Sequence, residues 1–262
     1  MMSMLPPPPV PARPDLTVHA PTVVRRRPGW VVAVAAVIVT SLVLIGLAPL
    51  FSGRPELDDD FTFLSRTAAG DPVRWNPCEP VHYVVNAALA PPGSLEDVHE
   101  AFRRISAATG IAFVFDDLTE EVPSAYRRPF LPDRYGDRWA PVLVGWVDPE
   151  SSDIPFELND GGVASAVASP LYPTDSSDLY VSGWVAMNHE DPNLPGFANP
   201  WEQGPVLLHE IGHVMGLGHV DSYGEIMNET GGGAIDLGPG DEEGLRRLGS
   251  TGGCLAVPQA HA

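Results

Sequence analysis

The sequence of 262 residues contains no lysine, so all 15 of its basic side chains are arginines, set against 34 Asp and Glu residues. A chain with a formal net charge of −19 matches the phosphate backbone of nucleic acids poorly. There are also only two cysteines, which excludes a disulfide-dense scaffold and a zinc site of four thiolates. The composition therefore predicts no nucleic-acid partner, while 44% hydrophobic residues are ample for a core.

The longest apolar run lies near the N-terminus. Residues 30–51 are 22 consecutive residues without a charge, and about 20 apolar residues span a bilayer as a helix. Three arginines at 25–27 precede the run and three aspartates at 58–60 follow it. The positive-inside rule then places the N-terminus in the cytoplasm and the chain after the run outside. We favour an uncleaved anchor, because the run is longer than a usual signal-peptide core and no A-x-A site ends it. A cleaved signal is the alternative, which would give a secreted protein.

These features divide the chain into four parts. Residues 1–29 are rich in proline and predict a disordered cytoplasmic tail. Residues 30–51 are the predicted membrane anchor, through which the protein would contact the membrane. Residues 52–71 are predicted to be an acidic linker. Residues 72–258 have the size of a single domain. We expect this domain to be extracellular and monomeric.

The globular part has a mixed pattern of strands and helices. A helix is predicted from about 95 to 109, with Ser94 and Asp97 as a capping box. A second helix is predicted to begin near residue 239, with acids in its first turn and Arg246 and Arg247 in its last. Several strands and few helices predict a sheet packed on helices, α+β or α/β. The predicted strands are 81–86, 111–115, 142–147, 162–169 and 179–187.

The chemistry concentrates in residues 209–219. On a helix, His209 and His213 lie one turn apart on the same face, so both imidazoles can bind one ion. Glu210 lies beside that face, where it can hold a water. Gly216 can adopt a positive φ that ends the helix and turns the chain. His219 can then return as a third ligand, which leaves the fourth position of a catalytic zinc site open.

This pattern resembles that of the metzincin zinc metallopeptidases. Met227 matches the methionine of their Met-turn, and the chain is most similar to matrixin-type domains of secreted actinobacterial proteins. The resemblance implies an α+β fold with a twisted mixed sheet over an active-site helix and a small C-terminal subdomain. It also implies one catalytic Zn²⁺ and an endopeptidase with Glu210 as general base. The weaker likeness outside the zinc motif lies in residues 72–78, 81–86, 106–110 and 238–241.

Several positions depart from well-known members of the clan. Val220 follows the third histidine, where other residue types mark the familiar subfamilies, so the subfamily is not assigned. The second, structural zinc of animal matrixins is not carried over, because His82, His99 and His189 are scattered in the sequence. No tyrosine has the spacing of the astacin-type ligand, and we interpret Tyr223 as a packed loop aromatic.

The resemblance also implies an extended polypeptide substrate that pairs with an exposed sheet edge. The segment 162–167 resembles the corresponding matrixin segment, although an ordinary inner strand is an open alternative. Asp153, Asp160 and Asp236 lie in glycine-rich loops and could bind Ca²⁺. We interpret these three acids as solvated surface residues instead.

The two cysteines, Cys78 and Cys254, lie near opposite ends of the globular region. In an oxidising compartment such a pair predicts a disulfide. The alternative is a cysteine switch like that of matrixin zymogens, in which the Cys78 thiolate would occupy the open zinc position. We favour the disulfide, because 52–71 is too short for a folded pro-domain.

Three functions remain to be distinguished. The first is a membrane-anchored extracellular zinc endopeptidase. The second is a zinc-binding interaction module without activity, which the presence of Glu210 disfavours. The third is a zinc hydrolase of a non-protein amide, such as a cell-wall cross-link.

Overall fold

A computed structural model describes residues 60–158, 162–230 and 233–261. The predicted cytoplasmic tail and membrane anchor, 1–29 and 30–51, lie outside these residues. Within the described part of the chain, no helix combines the length and hydrophobicity needed to cross a bilayer.

The described residues form strands and helices in a mixed order. The strands are β1 (Thr62–Phe63), β2 (Val81–Asn86), β3 (Phe113–Leu118), β4 (Val142–Val147), β5 (Ala166–Leu171), β6 (Ser182–Asn188) and β7 (Leu217–Gly218). The helices are α1 (Ser94–Thr109), the short α2 (Pro132–Tyr135), α3 (Gln203–Met215) and α4 (Pro239–Leu248), followed by a 3₁₀ turn (Ser250–Gly252).

The main sheet has five strands in the order β3-β2-β4-β6-β5. β2 runs parallel to β3 and β4, and β4 runs parallel to β6. β5 runs antiparallel to β6 at the edge of the sheet. The predicted α+β class with a mixed sheet is therefore confirmed.

Both faces of the central strands are covered. Every residue of β4 and β6 is buried, as expected for parallel strands with both faces covered. The main core lies between the sheet and the helices α1, α3 and α4. A smaller cluster covers the other face, and in it Ile154 and Phe156 from the β4–β5 connection pack near Trp184. The sheet is thus a rigid support for α3.

The N-terminus of α1 differs from the predicted capping box. Gly93, in the left-handed conformation, precedes the helix, and no side chain caps it. Ser94 Oγ instead donates to Gln203 Oε1 at 2.8 Å, and Asp97 Oδ2 accepts from the Gly196 N–H at 2.6 Å. Both polar groups are buried and are satisfied by tertiary partners. They tie α1 to the chain that leads into α3.

The folded domain begins earlier than the predicted boundary at residue 72. β1 pairs antiparallel with β7, and Phe61 is buried. A Cβ on Gly244 would lie 3.0 Å from the Phe61 Cβ, so α4 lies directly against this segment. Residues 60–71 therefore belong to the domain and are not a linker, because an apolar side chain and a strand pairing hold them there.

Three strands are also shifted relative to their predicted bounds. Strand β3 begins at Phe113 because Ile111 closes the turn after α1, with its N–H donating to Thr109 Oγ1 at 3.1 Å. Tyr180 precedes β6, and its N–H donates to the Arg74 carbonyl at 3.2 Å. The third shift concerns β5, which belongs to the site below.

Cys78 and Cys254 form the predicted disulfide, with their Cα atoms 5.4 Å apart. Around it, Asn76 Oδ1 accepts from the Leu255 N–H at 3.0 Å, and Arg74 Nη2 donates to the Gly252 carbonyl at 2.5 Å. The bridge therefore joins the chain before β2 to the chain after α4. Its sulfur atoms are bonded to each other, so neither is a thiolate ligand in this structure.

Candidate metal centre

The helix α3 carries the first two predicted ligands. Leu207, Leu208 and Ile211 are fully buried and fix α3 against the core, while His209 and His213 lie half-buried on one side. Gly216 ends the helix with φ of +113°, and its N–H donates to the His213 carbonyl at 2.9 Å. The positive φ turns the chain into β7, as the sequence predicted.

His219 follows β7 and completes a triad of imidazoles. Its Nε2 lies 3.1 Å from His209 Nε2 and 3.0 Å from His213 Nε2, and the latter two atoms are 3.1 Å apart. A zinc ion about 2.0–2.1 Å from each of three tetrahedral nitrogens needs them about 3.3–3.4 Å apart. The observed separations are slightly shorter, so the donor set fits a small tetrahedral cation after a minor outward shift.

Hydrogen bonds on the opposite ring nitrogens orient two of these ligands. His209 Nδ1 donates to the Ile226 carbonyl at 2.7 Å, and His213 Nδ1 donates to the Leu217 carbonyl at 2.8 Å. A proton on Nδ1 leaves the Nε2 lone pair for a metal. Burial, followed by smaller effects of neighbouring groups, lowers the pKa of His209 to about 4 and that of His213 to about 3. Both are therefore neutral near pH 7, as metal ligands must be.

The third ligand is held by β1. Thr62 Oγ1 donates to the His219 carbonyl at 2.9 Å, and the Leu64 N–H donates to the Gly216 carbonyl at 2.9 Å. This segment was not among the predicted site residues. The short alternation of Phe61, Thr62 and Phe63 is a strand signal, but nothing local indicates that this strand pairs with β7.

Glu210 is the only buried carboxylate beside the triad within the described residues. Its residue exposure is 7%, and its carboxylate has no hydrogen-bond or ion-pair partner in the described part of the chain. Burial raises the pKa of Glu210 to about 8, whereas a cation bound by the three neighbouring imidazoles would lower it again. A buried carboxylate without a partner costs stability, so its place here calls for a functional reason.

Met227 lies beneath α3, where the Met-turn was predicted. It is 1% exposed, and a Cβ on Gly212 would lie only 2.5 Å from its Sδ. Glycine at 212 thus allows the methionine to pack against the helix between the two ligands. The Val220 N–H donates to the Met227 carbonyl at 3.1 Å, which closes the loop between His219 and the Met-turn.

The remaining histidines and the tyrosine are not part of the triad. His82 Nδ1 contacts Asp116 Oδ1 at 2.6 Å, and His99 Nδ1 shares a 2.7 Å hydrogen bond with the Tyr83 hydroxyl. Tyr223 is 72% exposed, so it is a surface residue and not the packed aromatic that we expected.

His189 belongs to a second group of metal-capable side chains, with Asp148 and Glu190, whose ligand atoms lie within 4.8 Å of one another. This group was not predicted from the sequence. Its members directly follow the adjacent parallel strands β4 and β6, whose ends lie close together.

The acids considered for calcium have protein partners where they are described. Asp153 accepts hydrogen bonds from Ser124 Oγ at 2.6 Å and from the Ala125 N–H at 2.9 Å. Asp236 pairs with Arg104 at 3.2 Å. Asp160 lies outside the described residues.

The edge of the sheet beside α3 is β5, and it overlaps the predicted substrate segment 162–167 only at its end. The first part of that segment pairs with the preceding chain, since Val163 bridges Glu157 and the Ala164 N–H donates to the Phe156 carbonyl at 2.8 Å. Within the described residues, β5 itself pairs only with β6. The open edge therefore runs over Ala166–Leu171, further along the chain than predicted.

No protein-family model matches this chain, and no curated protein shows a significant sequence match to it. The class of the protein must therefore be argued from the site itself.

Proposed function

We propose that the protein is a zinc-dependent endopeptidase of the metzincin type, anchored in the membrane by residues 30–51 with its catalytic domain outside the cell. The observation that carries this proposal is the convergence of three Nε2 atoms within 3.1 Å of one another beside the buried carboxylate of Glu210. Three imidazole ligands leave one position of a tetrahedral ion open, as in catalytic zinc sites.

His209, His213 and His219 would hold the ion, and Glu210 would move the proton. When bound, zinc would polarise a substrate carbonyl and acidify a water. The Glu210 carboxylate has no competing protein partner in the described chain, so it is free to accept a proton from the attacking water. It would then pass that proton to the leaving amine. Met227 and the buried face of α3 keep the ligands in place while this happens.

The polypeptide substrate would lie extended along β5. A peptide added to this edge pairs through its main chain, which provides binding without strict dependence on side chains. Pro170 within β5 lacks an N–H, so pairing would be strongest at the Ala166 end. The catalytic domain would act as a monomer, because each proposed ligand comes from one chain.

Cleavage of a peptide library and of casein by the full chain, with and without a chelator, tests this function. Glu210→Ala should keep stoichiometric zinc and lose about three orders of magnitude in rate or more, whereas His213→Ala should lose the zinc. Glu229→Gln is a matched control, since Glu229 is exposed and close in sequence to the Met-turn.

The other outcomes separate the alternatives. Zinc binding without cleavage of any peptide would contradict the peptidase and favour an interaction module. Degradation of cell-wall material without casein cleavage would favour hydrolysis of a non-protein amide. Near-wild-type turnover by Glu210→Ala would contradict the proposed role of this carboxylate.

A further inference from the structure

One peptide unit connects a metal ligand to a buried acid. The carbonyl of Ile226 accepts from His209 Nδ1 at 2.7 Å. The N–H of the same peptide unit belongs to Met227 and donates to Asp241 Oδ1 at 3.3 Å. His209 is thus joined to the Asp241 carboxylate through the Ile226–Met227 peptide, although the two side chains belong to different helices.

Asp241 is buried and held by three backbone N–H donors. It is 0% exposed, in the first turn of α4. Its Oδ2 accepts from the Ile226 N–H at 2.5 Å and from the Gly238 N–H at 2.9 Å. All three partners are N–H donors, which suits an ionised carboxylate. Burial raises the pKa of Asp241 to about 6, so the group still carries its charge near pH 7.

A second buried acid holds the helix that carries Asp241. Glu225 is 3% exposed, and its Oε2 accepts from the Asp241 N–H at 2.7 Å. A Cβ on Gly238 would lie only 2.4 Å from this oxygen, so glycine is required there. The start of α4 and the Met-turn are therefore locked together.

The charge has a direct physical effect on the ligand. A carboxylate that accepts from a peptide N–H polarises the peptide and makes its carbonyl a stronger acceptor. A stronger acceptor at Nδ1 fixes the ring of His209 and raises the basicity of its Nε2. His213 differs, because the described residues place no acid next to the Leu217 peptide to which its Nδ1 donates.

We infer that Asp241 is a positioning residue of the metal centre, which sets the orientation and ligand strength of His209 through the Ile226–Met227 peptide. The inference rests on the proposed function, since it requires that the three histidines bind zinc. It adds a residue outside the motif, on another helix, to the set that determines metal affinity.

The test measures zinc affinity of the full chain by competition with a chelator, together with the absorption spectrum of the Co²⁺ form. Asp241→Asn keeps the side-chain shape and removes the charge. It should weaken zinc binding about 10–100-fold and change the Co²⁺ spectrum. The matched control is Glu243→Gln on the same helix, because Glu243 pairs only with Arg246 and Arg247 in the described chain. It should leave both readouts unchanged.

Imidazole ¹⁵N NMR of the zinc-free full chain identifies the route of the effect. Asp241→Asn should shift the Nδ1 resonance of His209 and leave that of His213 unchanged, because only His209 Nδ1 donates to the Ile226 carbonyl. Equal shifts at both histidines would overturn the inference and make Asp241 a general support of the fold.

If Asp241→Asn is not recovered folded, Asp241→Ser carries the same test with a smaller uncharged side chain. Wild-type zinc affinity in either folded variant would refute the inference alone. Absence of zinc binding by the unmutated protein would refute the proposed function and this inference with it.

Discussion

A single substitution at Gly216 should test how the turn after α3 supports both the fold and the metal site. Its φ of +113° is outside the range that L residues adopt easily. A Cβ there would also lie 3.0 Å from Tyr180 Cε2 and 3.2 Å from the Val73 carbonyl oxygen. Backbone strain of this kind costs about 1–3 kcal/mol, and crowding in a packed core adds about 1–3 kcal/mol. Gly216→Ala should therefore destabilise the domain by about 2–6 kcal/mol.

For a domain of this size, each kcal/mol corresponds to about 2–4 °C in Tm, so calorimetry should show a decrease of roughly 4–24 °C. Zinc affinity should fall as well, because Gly216 begins the turn that brings His219 to the other ligands. Gly224→Ala is the matched control, since its Cβ would meet nothing within 4 Å and its φ is not positive. It should change stability by less than about 0.5 kcal/mol. Equal Tm and equal zinc affinity for the two variants would refute the account of the turn.

Two further predictions concern the disulfide and one ion-pair cluster. The double variant Cys78→Ser, Cys254→Ser removes a link between residues 176 apart in sequence. It should lower the free energy of unfolding by up to about 5 kcal/mol while specific activity stays the same. A large rise in activity without loss of stability would instead indicate a cysteine switch. Hydrogen bonds from Arg103 and then Arg104 lower the pKa of Glu100 to about 2, so its contribution is present above pH 4.5 and lost as the pH falls toward 2. The free energy of unfolding of wild type should exceed that of Glu100→Gln by under about 1 kcal/mol, because solvent screens the group. This difference should shrink over that pH range in thermal melts, and an unchanged difference at pH 3 would contradict the assignment.

The local part of the metal centre could be predicted because it depends on short spacings. His209 and His213 share a helix face by their i, i+4 separation, and Gly216 ends that helix by a conformation that glycine adopts readily. Thr62 and Asp241 could not be assigned in this way. Their contacts with His219 and Met227 depend on strand pairing and helix packing between distant parts of the chain, and no local period encodes them.

The same distinction explains the mistaken capping box. Ser94 and Asp97 have the right spacing for one, but buried tertiary partners at Gln203 and Gly196 take both side chains. In a capping box the two side chains accept from backbone N–H groups at the start of their own helix. Ser94 instead donates to the Gln203 side chain, and Asp97 accepts from the Gly196 N–H. The predictions at 81–86 and 142–147, by contrast, agree with the structure because both segments are short and rich in β-branched and aromatic residues, which favour strands.

In the proposed membrane-anchored enzyme, the pairing of β1 with β7 would determine where a cut could release the domain without disturbing the metal centre. Cleavage within residues 52–59 would leave Thr62 and Leu64 hydrogen-bonded to the turn that carries His219. A cut only a few residues later, after Phe63, would remove half of that support together with the buried Phe61. For the proposed enzyme, release and inactivation would thus be separated by only a few residues of chain, so the position of a single cleavage would decide between an active and an inactive product.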